Sequence, residues 1–410
     1  MVYRLFKVGL KARAAAWRYG RPSKKIKVVL VVGQDGAVGT AATLAALLQM
    51  AGEQVGVITR QFIEIAGERV MGSDQADVTG DPNRLQALLA QMRKAGCGYA
   101  LLEVPPELPD YRFIGVVPHM LLIRRCGDNY IDQGSVTSAA ARLTSLLAQQ
   151  PAYIVYNRDD PIAEQLNWLH GQDGVISFGA HRRAECRMEQ VSLHPQGSQV
   201  AVTIDHQTPL TLGTHQVGKQ AVYNLAAAAA AAYILRLPVE AIEQGCLRAA
   251  PLAAHMQSIP VARPYGVMVD GAVTPAGIAE SLEVAKHFSK NRLMVLYGAP
   301  LGLPATWLPR VGELIAAHAD RILLTDGEYL AHQSPKQLRE QVWQGVNAIG
   351  GDAKVDEIPD RQLAIEKAVG IARRGDIILV AGSTTRPYRQ IGDEHLPWSD
   401  TARLKQLFEA

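Results

Sequence analysis

The sequence predicts an α/β protein. A P-loop-type central domain with a mostly parallel sheet and inserted β-hairpins comes first, and a Rossmann-like C-terminal domain follows. Three observations carry this. From residue 26 onward, short β-branched runs alternate with helical stretches, the order that gives a parallel sheet covered on both faces. The first run ends in a glycine turn, Gly33, Gly36 and Gly39, with an alanine-rich helix behind it. A second alternating series begins near Tyr265, after Pro260 and Pro264 interrupt both patterns.

A length of 410 residues suits two or three domains. Hydrophobic residues make up 48% and charged residues 20%, ordinary for a globular chain. The net charge of +3 is unevenly spread: residues 1–27 hold nine basic side chains and no acidic one, so the remainder is mildly acidic. Cys97, Cys126, Cys186 and Cys246 lie far apart with no Cys-x-x-Cys pair, which argues against a zinc ribbon or a disulfide scaffold. No apolar core follows the first basic residues as in a secretory signal. The longest apolar run, Ala221–Leu235, is mostly alanine and short for a bilayer span. A cytoplasmic protein is expected, with membrane-peripheral attachment as a variant.

In chain order, residues 3–18 suit a helix with Phe6, Leu10, Ala14 and Trp17 in one stripe and Arg4, Lys7, Lys11 and Arg18 in an adjacent one. The plain expectation is a helix packed on its own protein with a solvated basic side. The functional one is a helix docking on an anionic membrane surface or another cell-envelope protein; nucleic acid is not an expected partner. Strands are expected at Lys27–Gly33, Gln54–Thr59, Tyr99–Val104, His119–Ile123, Ala152–Tyr156 and Gly174–Phe178, with helices at Thr40–Met50, Pro82–Ala95 and Ser135–Gln149. Gln199–Ile204 and Pro209–Leu212 read as an inserted hairpin, and the helix 221–236 follows. The second series reads as strands Val267–Asp270, Leu293–Gly298, Arg321–Thr325 and Asp376–Ala381, with helices near 275–288, 305–318, 335–344 and 360–374. The domains divide as 1–25, a basic arm; 26–257, the central domain; and 258–410, the C-terminal domain.

Strand, glycine turn and helix N-terminus make an anion site from backbone N–H groups and the helix dipole. A working ATP loop adds a Lys for the β/γ-phosphates and a hydroxyl for Mg²⁺. Here those positions are Ala37 and Val38, while Thr40 keeps a hydroxyl two residues later.

Taken in order, several segments resemble the Mur ligase family, ATP-dependent enzymes that add amino acids to peptidoglycan precursors. Gly33-Gln-Asp-Gly36 stands where the family has Gly-Thr-Asn-Gly, and Leu102-Glu103-Val104 matches the strand carrying a Mg²⁺-binding Glu. Asp128-Asn129 sits at the family's Asp-His, followed by Gly134-Ser135. Asn157-Arg-Asp-Asp-Pro161, Tyr223-Asn224-Leu225-Ala226-Ala227 and Asp270-Gly-Ala-Val-Thr-Pro275 resemble three further motifs. Asp376–Gly382 resembles the closing strand, with Tyr388-Arg-Gln390 after it as in the tripeptide-forming type. The resemblance covers roughly residues 26–410. Only about 25 residues precede the first strand, so the chain starts more like relatives that lack a UDP-binding domain.

The resemblance also shows what has changed. The family's second metal site uses a His and a carbamylated Lys; those positions are Asn129 and Arg142, or Leu143 if counted forward. Arg carries no carbamate, and its fixed charge repels a metal. Val273 stands at the Asp-x-Ala-His histidine, Ser383 at the Lys of Gly-Lys-Gly, and His255-Met-Gln257 at Arg-x-Glu. Gly298–Leu303 lacks the family's Arg-Asp, and Thr325–Leu330 lacks Asn-Pro-Arg. Gly33, Gly36, Gly39, Thr40, Asn224 and Asp270 remain as residual nucleotide positions, and Glu103 and Asp128 as residual metal positions. Each also has a structural reading: Glu103 a satisfied strand-end carboxylate, Asn224 a helix cap, Asp270 a turn former. Arg386 and Arg389 could meet an anion, or be solvated surface groups.

Phosphoryl transfer is mostly positioning plus charge neutralisation, so these losses point to a catalytically inactive homologue, a pseudoenzyme with a binding, scaffold or regulatory role in peptidoglycan and cell-envelope biosynthesis. No cofactor is then expected. The alternative is an active ATP-dependent amide ligase with a rearranged site, using ATP and Mg²⁺. A dinucleotide-binding protein is a third reading, disfavoured because the Gly-x-x-Gly-x-x-Gly spacing departs from the dinucleotide fingerprint and strand two ends in Arg60 rather than an acid.

Overall fold

The computed structural model describes residues 2–33, 36–71, 81–104, 113–126, 143–160, 162, 166, 168–205, 209–301, 303–351 and 354–409. It contains two compact units. One comprises Met1–Ser192, Ser198–His215 and Gln220–Ala250; the other comprises Leu193–Gly197, Gln216–Lys219 and Pro251–Ala410.

The first unit opens with α1 (Val2–Arg18). The strands of its sheet are β1 (Lys27–Val32), β2 (Val55–Ile58), β3 (Ile63–Ile65), β4 (Glu68–Met71), β5 (Tyr99–Val104), β6 (Pro118–Ile123), β7 (Tyr153–Asn157), β8 (Val175–Gly179), β9 (Cys186–His194), β10 (Gly197–Ile204) and β11 (Leu210–Thr214). They form an 11-stranded sheet in the order β11-β10-β9-β8-β7-β6-β1-β5-β2-β3-β4. β1 lies between β5 and β6 and is parallel to both, with Val31 opposite Glu103 and Val32 opposite Ile123. Chain order reverses beside β1, so the carboxyl ends of these strands frame the crevice where α/β sheets bind ligands. From Val28 to Val32, β1 is buried throughout, because a parallel strand covered on both faces needs a continuous apolar run.

Hairpins extend the sheet at both edges. The expected one is β10–β11, antiparallel with Val200 opposite Leu212. The other, β3–β4, was not legible in the sequence: Ile63-Glu-Ile65 and Glu68–Met71 are too short and charged to stand out. The helices described around this sheet are α2 (Ala37–Met50), α3 (Pro82–Lys94), α4 (Lys219–Ile234) and α5 (Val239–Arg248). α2 starts at Ala37 rather than Thr40, because Gly36 takes the left-handed conformation (φ 78°) and caps it. Along α4, Ala226–Ala232 are all fully buried; a run of methyl side chains lets a helix be surrounded without steric conflict.

The second unit carries a six-stranded sheet of β12 (Gln257–Ile259), β13 (Gly266–Val269), β14 (Leu293–Tyr297), β15 (Arg321–Leu324), β16 (Val355–Glu357) and β17 (Ile377–Ala381), ordered β12-β13-β17-β14-β15-β16. All neighbours are parallel except β12–β13. Its helices are α6 (Pro275–Phe288), α7 (Leu308–His318), α8 (Pro335–Ala348), α9 (Arg361–Ile371) and α10 (Asp400–Glu409). A two-stranded ribbon, β18 (Tyr388–Ile391) with β19 (Glu394–Pro397), follows the last parallel strand. Among the described residues no helix is long and apolar enough to cross a membrane.

α7 and α8 meet through glycine. A Cβ on Gly345 would sit 1.7 Å from the Pro309 carbonyl oxygen, and one on Gly312 would sit 2.0 Å from the Val342 carbonyl oxygen. Gly370 in α9 has open space instead. Gly345→Ala is therefore expected to lower unfolding free energy by about 1–3 kcal/mol, and Gly370→Ala to raise it by about 0.5–1 kcal/mol. Urea denaturation of the two variants checks both signs.

Candidate functional site

At the carboxyl end of β1, the glycine turn is packed tightly by side chains. Arg124, the residue after β6, donates its backbone N–H to the Val32 carbonyl at 2.8 Å. Its side chain is 1% exposed and runs under the turn. A Cβ on Gly33 would lie 3.0 Å from the Arg124 Cβ, and one on Gly36 would lie 2.3 Å from Arg124 Nη2. Nη2 donates to Gln220 Oε1 at 3.0 Å and to Asn224 Oδ1 at 3.1 Å, both on α4. The Phe178 and Tyr223 rings lie 5.8 and 5.6 Å from the guanidinium carbon, a cation–π setting.

Asn224 closes the same corner. Its Oδ1 also accepts from Thr40 Oγ1 at 3.0 Å, and a Cβ on Gly39 would fall 2.1 Å from its Nδ2. Asn224 does not cap a helix: it lies inside α4, which begins at Lys219, and reaches across to α2. Ala37 and Val38 are buried in the first turn of α2. The three glycines thus make room for Arg124 and Asn224.

Glu103, at the end of β5, is 1% exposed. Both of its oxygens are taken by Arg60: Oε2 accepts from the backbone N–H at 2.7 Å and Oε1 from Nε at 2.5 Å. One oxygen is thus held by a guanidinium and the other by a backbone N–H of the same residue, a charge-assisted pairing.

Asn157, Asp159 and Asp160 organise their surroundings. Asn157 Oδ1 accepts from the Asp159 N–H at 3.0 Å, and Asp160 accepts from the N–H groups of Cys126 at 2.6 Å and Ile162 at 2.9 Å. Asp159 accepts from Ala180 and His181 N–H groups and from the Tyr223 hydroxyl. Asp128, Asn129, Gly134, Ser135 and Arg142 lie outside the described residues.

In the second unit, Asp270 accepts from Met256 N–H at 2.9 Å, Ala272 N–H at 3.1 Å and Ser281 Oγ at 2.7 Å. These contacts fasten β13 to its neighbours. Val273 precedes Thr274, whose hydroxyl accepts from the Gly277 N–H and caps α6. His255 Nδ1 lies 2.8 Å from the Ala253 carbonyl oxygen.

Ser383 belongs to a buried ionic cluster that motif reading missed. Arg361, the first residue of α9, grips Asp400 through Nε and Nη2, each at 2.9 Å, and both side chains are 2% exposed. Nη2 also donates to the Ala381 carbonyl and to Ser383 Oγ, and Trp398 Nε1 donates to Asp400. Arg386 and Arg389 are not the solvated groups that the sequence suggested. Arg386 pairs with the buried Glu328 at 2.5 Å, and Arg389 donates to the carbonyls of Asp326 and Gly327. Burial pulls the Arg389 guanidinium down to about 10, since desolvation disfavours its charged form. The only signals in the sequence were isolated Arg and Asp residues in helical patterns; nothing local marks which will meet.

The fold and this corner define a class: an α/β unit with an ATP-loop-type strand–turn–helix, joined in sequence to a Rossmann-like unit. Comparison with known proteins makes it specific. Residues 31–232 match the Mur ligase middle domain and residues 256–384 the Mur ligase, glutamate ligase domain. The chain belongs to the Mur ligase family. It is 25% identical over 394 residues to the UDP-N-acetylmuramoyl-L-alanyl-D-glutamate–2,6-diaminopimelate ligase of Geobacillus thermodenitrificans, an alignment spanning 94% of this chain and 79% of that one. Its fold matches MurF from Acinetobacter baumannii, with TM-score 0.71, 15% identity and coverage of 99% and 81%. It also matches Mycobacterium tuberculosis folylpolyglutamate synthase, solved with ADP and AMPPCP, with TM-score 0.74, 13% identity and coverage of 98% and 95%.

Asp400 gives a pH prediction. Burial alone would raise its carboxyl, but the adjacent Arg361 charge, with hydrogen bonds, prevails and holds it at about 2. Its ordinary value when unfolded is about 3.9. The native state therefore binds this proton less tightly, and the associated stability is present above about pH 4 and lost as pH falls toward about 2. The loss should be about 2–3 kcal/mol. Denaturant titrations across this range check it: Asp400→Asn should flatten the slope and, by leaving Arg361 buried without its carboxylate, destabilise at neutral pH by about 3–5 kcal/mol.

Proposed function

We propose that this Mur ligase family member does not catalyse amide bond formation and serves instead as a binding or scaffold protein in peptidoglycan and cell-envelope synthesis. The observation that carries this reading is the grip of Arg60 on both oxygens of Glu103. The residue at the family's Mg²⁺-binding Glu is already neutralised by the protein's own cation. Around it, Ala37 and Val38 bring neither the ammonium nor the hydroxyl that an ATP loop uses. These groups do not fit ATP with Mg²⁺ in the manner of the ligases. The relatives' role in peptidoglycan peptide assembly supplies the process to which the protein is assigned.

One observation favours a second reading, an active ligase with a rearranged site. The Arg124 guanidinium lies against the glycine turn, where it could take over phosphate charge from the missing loop Lys. ATP and Mg²⁺ would be its cofactors.

Two measurements on the full chain separate these readings. Calorimetric titration with Mg-ATP should show no saturable binding in the submillimolar range, and a panel of amino acids with muramyl precursors should elicit no phosphate release. Acceptor-dependent phosphate release that disappears in Glu103→Ala would overturn the non-catalytic reading. If Mg-ATP does bind, the second reading expects Arg124→Lys, which keeps a cation at the turn, to retain binding within about tenfold and Arg124→Met to weaken it by about 10–100-fold, the value of a charge-assisted hydrogen bond, with circular dichroism of both variants reporting any loss of fold.

A further inference from the structure

Among the side chains of α1 that the structure describes, from Gly9 onward, the buried ones are Gly9, Ala12, Ala15 and Ala16; Phe6 of the expected stripe lies outside the described side chains. The buried residues rest on the segment after Phe113, where a Cβ on Gly9 would lie 3.1 Å from Ile114 Cδ1 and one on Gly115 would lie 3.0 Å from the Ala16 Cβ. Leu10 and Trp17 of the expected apolar stripe point outward instead, 51% and 72% exposed, with Ala14 exposed between them. The Arg21 guanidinium sits 5.0 Å from the Trp17 ring centre. Lys11, Arg13 and Arg18 are exposed on the same helix, and Arg21, Lys24 and Lys25 are exposed just beyond it. No acidic residue occurs in residues 1–27.

We propose that the outward face of α1 is a docking surface for an anionic lipid bilayer. The choice of occupant follows from the charge. Protein interfaces are depleted in Lys at their centres, whereas helices lying in a bilayer interface combine Trp and Leu on one side with flanking Lys and Arg. Trp prefers the headgroup level, where its ring is apolar and its N–H stays wet. Two large apolar side chains insert only weakly by themselves, so attachment needs the second signal that clustered cations supply against negative headgroups. Because the opposite face already rests on the protein's own body, the helix can lie flat without unfolding anything.

Flotation of the full chain with vesicles tests this. The protein should float with phosphatidylcholine vesicles containing about one quarter phosphatidylglycerol, not with phosphatidylcholine alone, and should be released at about 0.5 M salt, where the screening length falls to a few ångströms. Lys11→Glu with Arg18→Glu should weaken partitioning by on the order of 100-fold. Leu10→Ser with Trp17→Ser should weaken it by about tenfold or more without shifting the melting temperature, because both side chains face solvent. Failure of the unmodified chain to float with the anionic vesicles overturns the proposal. So does equal flotation of both double variants. A wild-type dimer that Leu10→Ser/Trp17→Ser converts to monomer would assign the face to a second copy of the chain, which also overturns it.

Discussion

The approach of Arg124 and Asn224 to the glycine turn is the constraint on which the first unit turns. β1 can end where it does, and α2 can begin where it does, only because Gly36 and Gly39 lack the Cβ atoms that would meet Arg124 Nη2 and Asn224 Nδ2 at 2.3 and 2.1 Å. The backbone bond from Arg124 to Val32 fixes β6 beside β1, and the side-chain bonds to Gln220 and Asn224 fix α4 against both. A strand–turn–helix shape that suits an anion is here organised around a cation of the chain itself. The glycines have a packing reason here that holds whether or not a nucleotide binds.

Each unit buries charge by matching it locally. Arg60 meets Glu103 at the end of β5, and Arg361 meets Asp400 beside the end of β17. Such pairs contribute less to net stability than their distances suggest, since desolvation offsets most of the attraction. Their effect is on geometry: removing one partner strands the other. At Glu103 the pairing holds one carboxylate oxygen on the Arg60 guanidinium and the other on the Arg60 backbone N–H. The Ser383 hydroxyl lies within reach of Arg361 Nη2 at 3.4 Å, so the same guanidinium that holds Asp400 also contacts the loop after β17.

In the second half of α1, alanine and glycine face the rest of the unit, where they bury little area but permit close approach, and the larger Leu10 and Trp17 are left in water. Exposure of single apolar side chains is common. Here it coincides with a segment of uniform positive charge, which gives the exposed stripe a direction.

Most of the architecture was legible in the sequence. Short, β-branched apolar runs such as Val28–Val32 and Leu293–Tyr297, alternating with helical stretches, read as buried parallel strands, and glycine and proline breaks separate them. Short charged elements such as β3, β4 and β16 escaped, because three or four residues, few of them buried, carry no periodicity to detect. At the site, the sequence determined what is missing, since a lysine or histidine absent from a motif is visible in one dimension. Tertiary structure alone decided what took its place. Arg124 and Asn224 are separated by 100 residues, Glu103 and Arg60 by 43, and Arg361 and Asp400 by 39. Which charge meets which is set by strand order and helix packing rather than by local pattern. The same holds for α1: its spacing defined an apolar stripe, but only contact with the rest of the unit showed that Gly9, Ala12, Ala15 and Ala16 are buried while Leu10 and Trp17 face outward.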